Sequence, residues 1–181
     1  MKLKPFLTIL CLSALLWSSD RAVAALPDRA ERPWKARWIS SGTTPEQPNT
    51  WLNYRYTADL PALPSSVVAR IGADSKYWLW VNGRLVVFEG GLKRGPNPQD
   101  TYYDEVELAP SLVKGKNTIA VLLWYFGKPS FSHNDSGKAG LIFDCQTADF
   151  DILSDETWKC ETNAAYGTCD KPDPNFRLAE S

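Results

Sequence analysis

The chain is poor in the side chains that most often hold metals or move protons at neutral pH. It has one histidine, His133, and its four cysteines show no Cys-x-x-Cys spacing, which argues against a zinc site. It also lacks a compact Asp/Asn run of the EF-hand type, a glycine-rich phosphate loop and a metalloprotease motif. Neither a metal nor a cofactor is therefore expected. An excess of one charge is missing too: 20 basic and 21 acidic residues offer no field for nucleic acid and no polybasic membrane patch. Long apolar runs are absent except for Phe6 to Trp17, which is too short to span a bilayer.

That run has the features of an export signal. Lys2 and Lys4 precede it, and Ala22-Val23-Ala24 supplies a small-residue cleavage pattern, so residues 1–24 are expected to be removed. Removal takes away Lys2, Lys4, Arg21 and Asp20 and leaves a mildly acidic mature chain, expected in the periplasm or outside the cell. No second membrane-span candidate follows. Cys11 leaves with the signal, and Cys145, Cys160 and Cys169 remain. In an oxidising compartment one pair can close, and Cys160–Cys169 is the nearer candidate in sequence. The alternative is three unpaired thiols, with Cys145 and Cys160 acting as small hydrophobes in strand-like runs.

What the mature chain does contain is strands. Residues 25–50 read as irregular, broken by Pro27, Pro33, Pro45 and Pro48, with one short extended piece at Ala36 to Ile39. From Trp51 the pattern gives strands at 51–58, 67–74, 76–82, 84–88, 102–108, 116–126, 139–147, 150–154 and 157–161, and no convincing helix. Asn82-Gly83 between two apolar runs signals a tight hairpin, and Lys114-Gly115 signals a second turn. Short strands punctuated this way predict an all-β, antiparallel sandwich or jelly roll over residues 51–165. The polar tail at 166–181 reads as a linker or a truncation point.

The strand faces carry a further signal. In 116–126 both faces read as apolar: Ile119, Val121 and Leu123 on one, Thr118, Ala120, Leu122 and Trp124 on the other. In 76–82, Trp78 and Trp80 lie opposite Tyr77, Leu79 and Val81. A sandwich strand needs only one apolar face. The outer face of this sheet is therefore expected to be covered by an N-terminal segment, a neighbouring domain or a bound sugar ring.

Several motifs together carry a family resemblance. They are Ala36-Arg37-Trp38-Ile39, Gly72-Ala73-Asp74, Trp80-Val81-Asn82-Gly83-Arg84, Asp100-Thr101-Tyr102-Tyr103-Asp104, Leu112-Val113-Lys114-Gly115-Lys116-Asn117, Val121 to Gly127, Ser136 to Leu141, and Ser154 to Lys159. From about Arg37 onward the chain resembles the N-terminal β-sandwich region of bacterial α-L-rhamnosidases. The Asn82-Gly83 hairpin and Lys114–Asn117 turn are also similar to the sugar-binding, galactose-binding-like sandwich of β-galactosidase-type enzymes. The resemblance implies a parent activity: hydrolysis of terminal α-L-rhamnose, with inversion, by acidic residues in an (α/α) barrel. Nothing in this sequence looks like that barrel. The chain is thus expected to be a non-catalytic accessory module with a structural or docking role, its partner being the catalytic domain. The alternative is a free-standing carbohydrate-binding module.

Candidate binding residues follow from sugar chemistry. The C–H face of a sugar ring stacks on Trp and Tyr while polar groups fix its orientation. Trp78, Trp80, Trp124 and Tyr125 are the aromatic candidates, unless they lie in the core or under a neighbouring domain. His133, Asn134 and Asp135 form a polar loop that can bond sugar hydroxyls or simply face solvent. Adjacent Ser132, His133 and Asp135 do not make a triad, because triads are assembled from distant segments. The acidic groups around Asp104-Glu105-Glu107 and Asp149-Asp151-Asp155-Glu156 read as a solvated strand face and turn chemistry rather than as the carboxyl pair of an inverting glycosidase.

Overall fold

The computed structural model describes residues 32–42, 47–92, 102–129 and 134–166. The expected signal segment, His133 and Cys169 lie outside these residues, and with Cys169 so does the candidate disulfide. From Trp34 onward the described residues fall within one compact unit.

Among the described residues nine strands form two antiparallel sheets. They are β1 (Thr50–Leu60), β2 (Val68–Asp74), β3 (Lys76–Val81), β4 (Arg84–Gly91), β5 (Asp104–Glu107), β6 (Gly115–Tyr125), β7 (Gly140–Gln146), β8 (Asp151–Leu153) and β9 (Lys159–Thr162). The first sheet runs β4-β3-β6-β1-β9 and the second β5-β2-β7-β8. All nine expected strands are present, and the fold is the expected antiparallel β-sandwich. The boundaries differ locally. β4 runs on to Gly91 because its pairing with β3 is irregular past Tyr77 and absorbs extra residues. The expected strand at 102–108 shortens to Asp104–Glu107, since Ala109–Ser111 turn as a 3-10 element with Pro110 inside it. The extended piece at Ala36 to Ile39 contributes a single bridge, Ile39 to Leu141.

The core lies between the sheets. Leu52, Tyr54, Leu79, Val81, Ile119, Val121 and Leu123 of the first sheet meet Ala69, Ile71, Ala73, Leu141, Phe143, Cys145 and Ile152 of the second. These are alternate residues along each strand, as the two-residue period of the pleat requires. The β3–β4 turn uses Asn82 and Gly83, both at positive φ (52° and 80°), the combination that matches strand twist in a two-residue hairpin. Asn82 then ties this hairpin to the β5–β6 connection. Its Nδ2 donates to the Ser111 carbonyl and to Asn117 Oδ1, and its Oδ1 accepts from the Thr118 amide.

The outer face of the second sheet is covered by the chain's own N-terminal piece. Asp144 on β7 accepts from the backbone amides of Lys35 (2.8 Å) and Ala36 (3.1 Å), from Arg70 on β2 (2.9 Å) and from Gln146. Arg70 and Asp144 form a buried ion pair. The Arg70 guanidinium also lies 4.2 Å from the centre of the Trp34 ring. Burial of Asp144 acts to raise its pKa, but the hydrogen bonds from Arg70, the Lys35 amide, Gln146 and the Ala36 amide outweigh it. The carboxyl is held below its ordinary value.

Candidate functional site

The outer face of the first sheet is the surface the sequence leaves in need of cover. The strand registers assemble its side chains into rows. One row reads Leu85, Trp80, Ala120, Arg55, Lys159 from the β4 edge to the β9 edge. The next reads Trp78, Leu122, Asn53, Glu161, with Phe88 edge-on to Trp78 at 6.3 Å. A third joins Lys76, Trp124 and Trp51. The face is thus apolar toward β4 and charged toward β9.

The candidate aromatics divide sharply on this frame. Tyr125 points into the core and is 3% exposed. Trp124 is also 3% exposed. It stacks on Trp51 at 4.8 Å, meets Phe126 edge-on at 4.7 Å, and donates from Nε1 to Asn49 Oδ1 at 2.7 Å. Neither presents a free ring face, so both are structural here, because the third row is roofed over. The roof comes partly from the chain itself: Tyr166, in the expected linker, stacks on the Trp51 ring at 4.2 Å. Trp51 is left with a buried indole N–H that has no hydrogen-bond partner among the described residues.

Trp78 and Trp80 keep partial exposure, and beside them Leu85 and Phe88 on β4 are 44% and 69% exposed. These two β4 residues were not singled out from sequence. The signal available was the hairpin register, which places Leu85 directly opposite Trp80. The result is an uncovered apolar strip along one edge of the sheet.

Of the polar candidates, Asp135 is engaged within its own loop. Asp135 Oδ2 accepts from the Gly137 amide at 3.1 Å and closes its own turn. Asn134 is half-buried at the same loop. The neighbouring Ser136 amide donates to Asp74 Oδ2 at 2.8 Å, and the other Asp74 oxygen accepts from Ser75 Oγ. This network anchors the loop to the end of β2.

Most of the acidic groups also have structural work. Asp104 accepts from Tyr77 Oη (2.8 Å) and the Gly91 amide (3.0 Å), and burial beside that carboxylate drives the Tyr77 phenol strongly upward in pKa. Glu107 accepts from Ser66 and from the Val67 and Ala109 amides. Asp151 pairs with Lys35, and Asp155 holds Thr157. Among the described residues no cluster of three or more His, Cys, Asp or Glu could hold a metal, and no helix is long and apolar enough to cross a membrane.

The fold and its two faces define an antiparallel β-sandwich with one half-uncovered sheet. Among solved structures it is similar to part of the GH78 family rhamnosidase of Bacillus sp. GL1, at 31% identity and a TM-score of 0.64 over 72% of this chain and 14% of that one. Two further α-L-rhamnosidases share the fold. That of Dictyoglumus thermophilum matches at 20% identity and TM-score 0.52, over 72% of this chain and 17% of that one. That of Aspergillus terreus matches at 19% identity and TM-score 0.51, over 69% of this chain and 16% of that one. The chain therefore resembles a β-rich part of α-L-rhamnosidases and spans 14–17% of the length of these three. No protein-family model and no curated protein matches it.

Proposed function

We propose that this chain is a non-catalytic β-sandwich module of an exported α-L-rhamnosidase-like glycoside hydrolase, and that its role is to dock against the catalytic part of such an enzyme. The observation that carries the reading is the strip of Leu85, Phe88, Trp78 and Trp80, open to solvent on a sandwich that matches one segment of a rhamnosidase. Contiguous exposed apolar surface of this kind marks an interaction site. The engagement of Asp104, Glu107, Asp144, Asp151 and Asp155 in structural bonds supports a non-catalytic role. In this reading residues 1–24 are the export signal, 51–165 the sandwich and 166–181 a linker whose first residue, Tyr166, is also used as packing.

A second reading, carbohydrate binding by the strip itself, is favoured by the partial exposure of Trp78 and Trp80, since an indole face stacks well on a sugar ring. Titration calorimetry of the full chain with L-rhamnose and rhamnosylated oligosaccharides separates the two. Docking predicts no heat with either. Binding that is lost in Trp80→Ala with the melting temperature preserved would establish the second reading and overturn the first.

A further inference from the structure

The opposite edge of the same sheet carries a different chemistry. Arg55 of β1 and Lys159 of β9 are direct antiparallel partners, and both are exposed. Like charges placed opposite one another repel, so this pair costs stability. Among the described residues neither cation is ion-paired, unlike Lys35 with Asp151, Arg70 with Asp144 and Lys76 with Glu89. Glu161, two positions along β9, lies opposite Asn53 and forms no ion pair with either cation.

Arg55 and Lys159 line a half-open cavity of about 390 Å³ together with Tyr56, Thr57 and Thr157. That falls within the usual size of small-molecule sites, roughly 300–1,000 Å³. The cavity wall is fixed from behind. Tyr56 stacks on Trp158 at 5.2 Å, and Trp158 Nε1 donates to the Leu153 carbonyl at 2.9 Å. Thr157 donates from both its amide and its hydroxyl to Asp155 Oδ1, at 2.9 and 2.5 Å. With its proton committed there, the Thr157 hydroxyl oxygen offers only lone pairs to a ligand. Thr57, exposed on the other wall, can donate or accept.

We infer that this groove binds an acidic saccharide. The sugar carboxylate lies between Arg55 and Lys159, and its hydroxyls bond Thr57 and Thr157. The two cations call for an anion, and the acceptor at Thr157 calls for a ligand that also carries donors. A sugar acid meets both demands, whereas sulfate meets only the first. The choice of a saccharide rests on the glycoside-hydrolase reading above; the oxyanion site does not. The groove lies at the β9 edge and the docking strip at the β4 edge, so one chain can use both.

The test titrates the full chain with digalacturonate, with the neutral galactose disaccharide and with sodium sulfate, following calorimetric heat. Digalacturonate is expected to bind at least about tenfold more tightly than the neutral disaccharide, because charge-assisted hydrogen bonds are roughly twice as strong as neutral ones. Raising salt is expected to weaken it. Arg55→Gln and Lys159→Gln are each expected to weaken digalacturonate by about tenfold, in line with loss of one charged hydrogen bond. Thr157→Val is expected to weaken digalacturonate but not sulfate. Melting temperatures no lower than wild type control for folding, and relief of the repulsion is expected to raise them in the two charge variants. Equal affinity for the acidic and neutral disaccharides, indifference to both charge substitutions, or sulfate binding as tight as digalacturonate would each overturn the inference. Rhamnose heat or rhamnosidase docking reports on the previous reading alone, so the two can fail separately.

Discussion

Replacing Asp144 with Asn changes one atom and removes one charge, yet it is expected to be among the costliest single substitutions in the sandwich. Asp144 is fully buried, and Arg70 opposite it is 2% exposed. Oδ1 accepts from Arg70 and Gln146, and Oδ2 from the Lys35 and Ala36 amides. Either orientation of the Asn amide turns its NH2 toward donors, and Arg70 loses the carboxylate that faces it across the β2–β7 register. Breaking one side of a buried pair costs about 3–5 kcal/mol. At about 3 kcal/mol the expected fall in melting temperature is roughly 6–12 °C for a domain of this size. Differential scanning calorimetry reads it. The double variant Arg70→Met/Asp144→Leu removes both charges but still strips the Lys35 and Ala36 amides of their acceptor, and is expected to recover part of the loss. Wild-type protein should also lose this contribution in acid. The folded pKa of Asp144 is depressed, so the stabilisation is complete above the unfolded carboxyl value of about 3.9 and disappears as pH falls through the lower folded value. An Asp144→Asn protein melting within about 1 °C of wild type would refute the reasoning, since that corresponds to well under 1 kcal/mol.

Other sites give sharper contrasts. Trp51→Phe deletes a buried, unpartnered N–H while keeping a ring under Tyr166, and is expected to change stability by less than about 1 kcal/mol in urea denaturation; Trp51→Ala should cost about 3–5 kcal/mol. Gly90→Ala would put a methyl 2.5 Å from the buried Tyr77 ring, which Asp104 pins in place; a loss of about 1–3 kcal/mol is expected in the same titration. Phe88→Asp, at an exposed position, should leave the melting temperature within about 0.5 kcal/mol equivalent while lowering binding of an apolar fluorescent dye to the β4 edge.

The strand positions were largely legible because the pleat's period of two and the Asn82-Gly83 turn are local signals, whereas their order in the two sheets was not. The apolar outer face of β3 and β6 was legible for the same reason. What covers that face was not. Tyr166 sits in a polar tail with no periodicity, and its stacking on Trp51 depends on where β9 ends. The fate of Trp124 likewise required the third row, in which Trp51 arrives from a strand more than seventy residues away. The cations Arg55 and Lys159 are unremarkable in sequence and become a pair only through the β1–β9 register. Asp144 sits in an apolar run, and only the fold brings Arg70 and the Lys35 amide to it.

The claim that this chain is a rhamnosidase module rather than an enzyme meets its most direct test in one assay, hydrolysis of a chromogenic α-L-rhamnoside. The full chain is assayed beside the Bacillus sp. GL1 rhamnosidase in which the matched segment is replaced by this sandwich. The account predicts no turnover by the chain alone and turnover by the chimera that falls when Phe88→Asp is introduced. Turnover by the chain alone, abolished by changing one of its carboxylates, would contradict it.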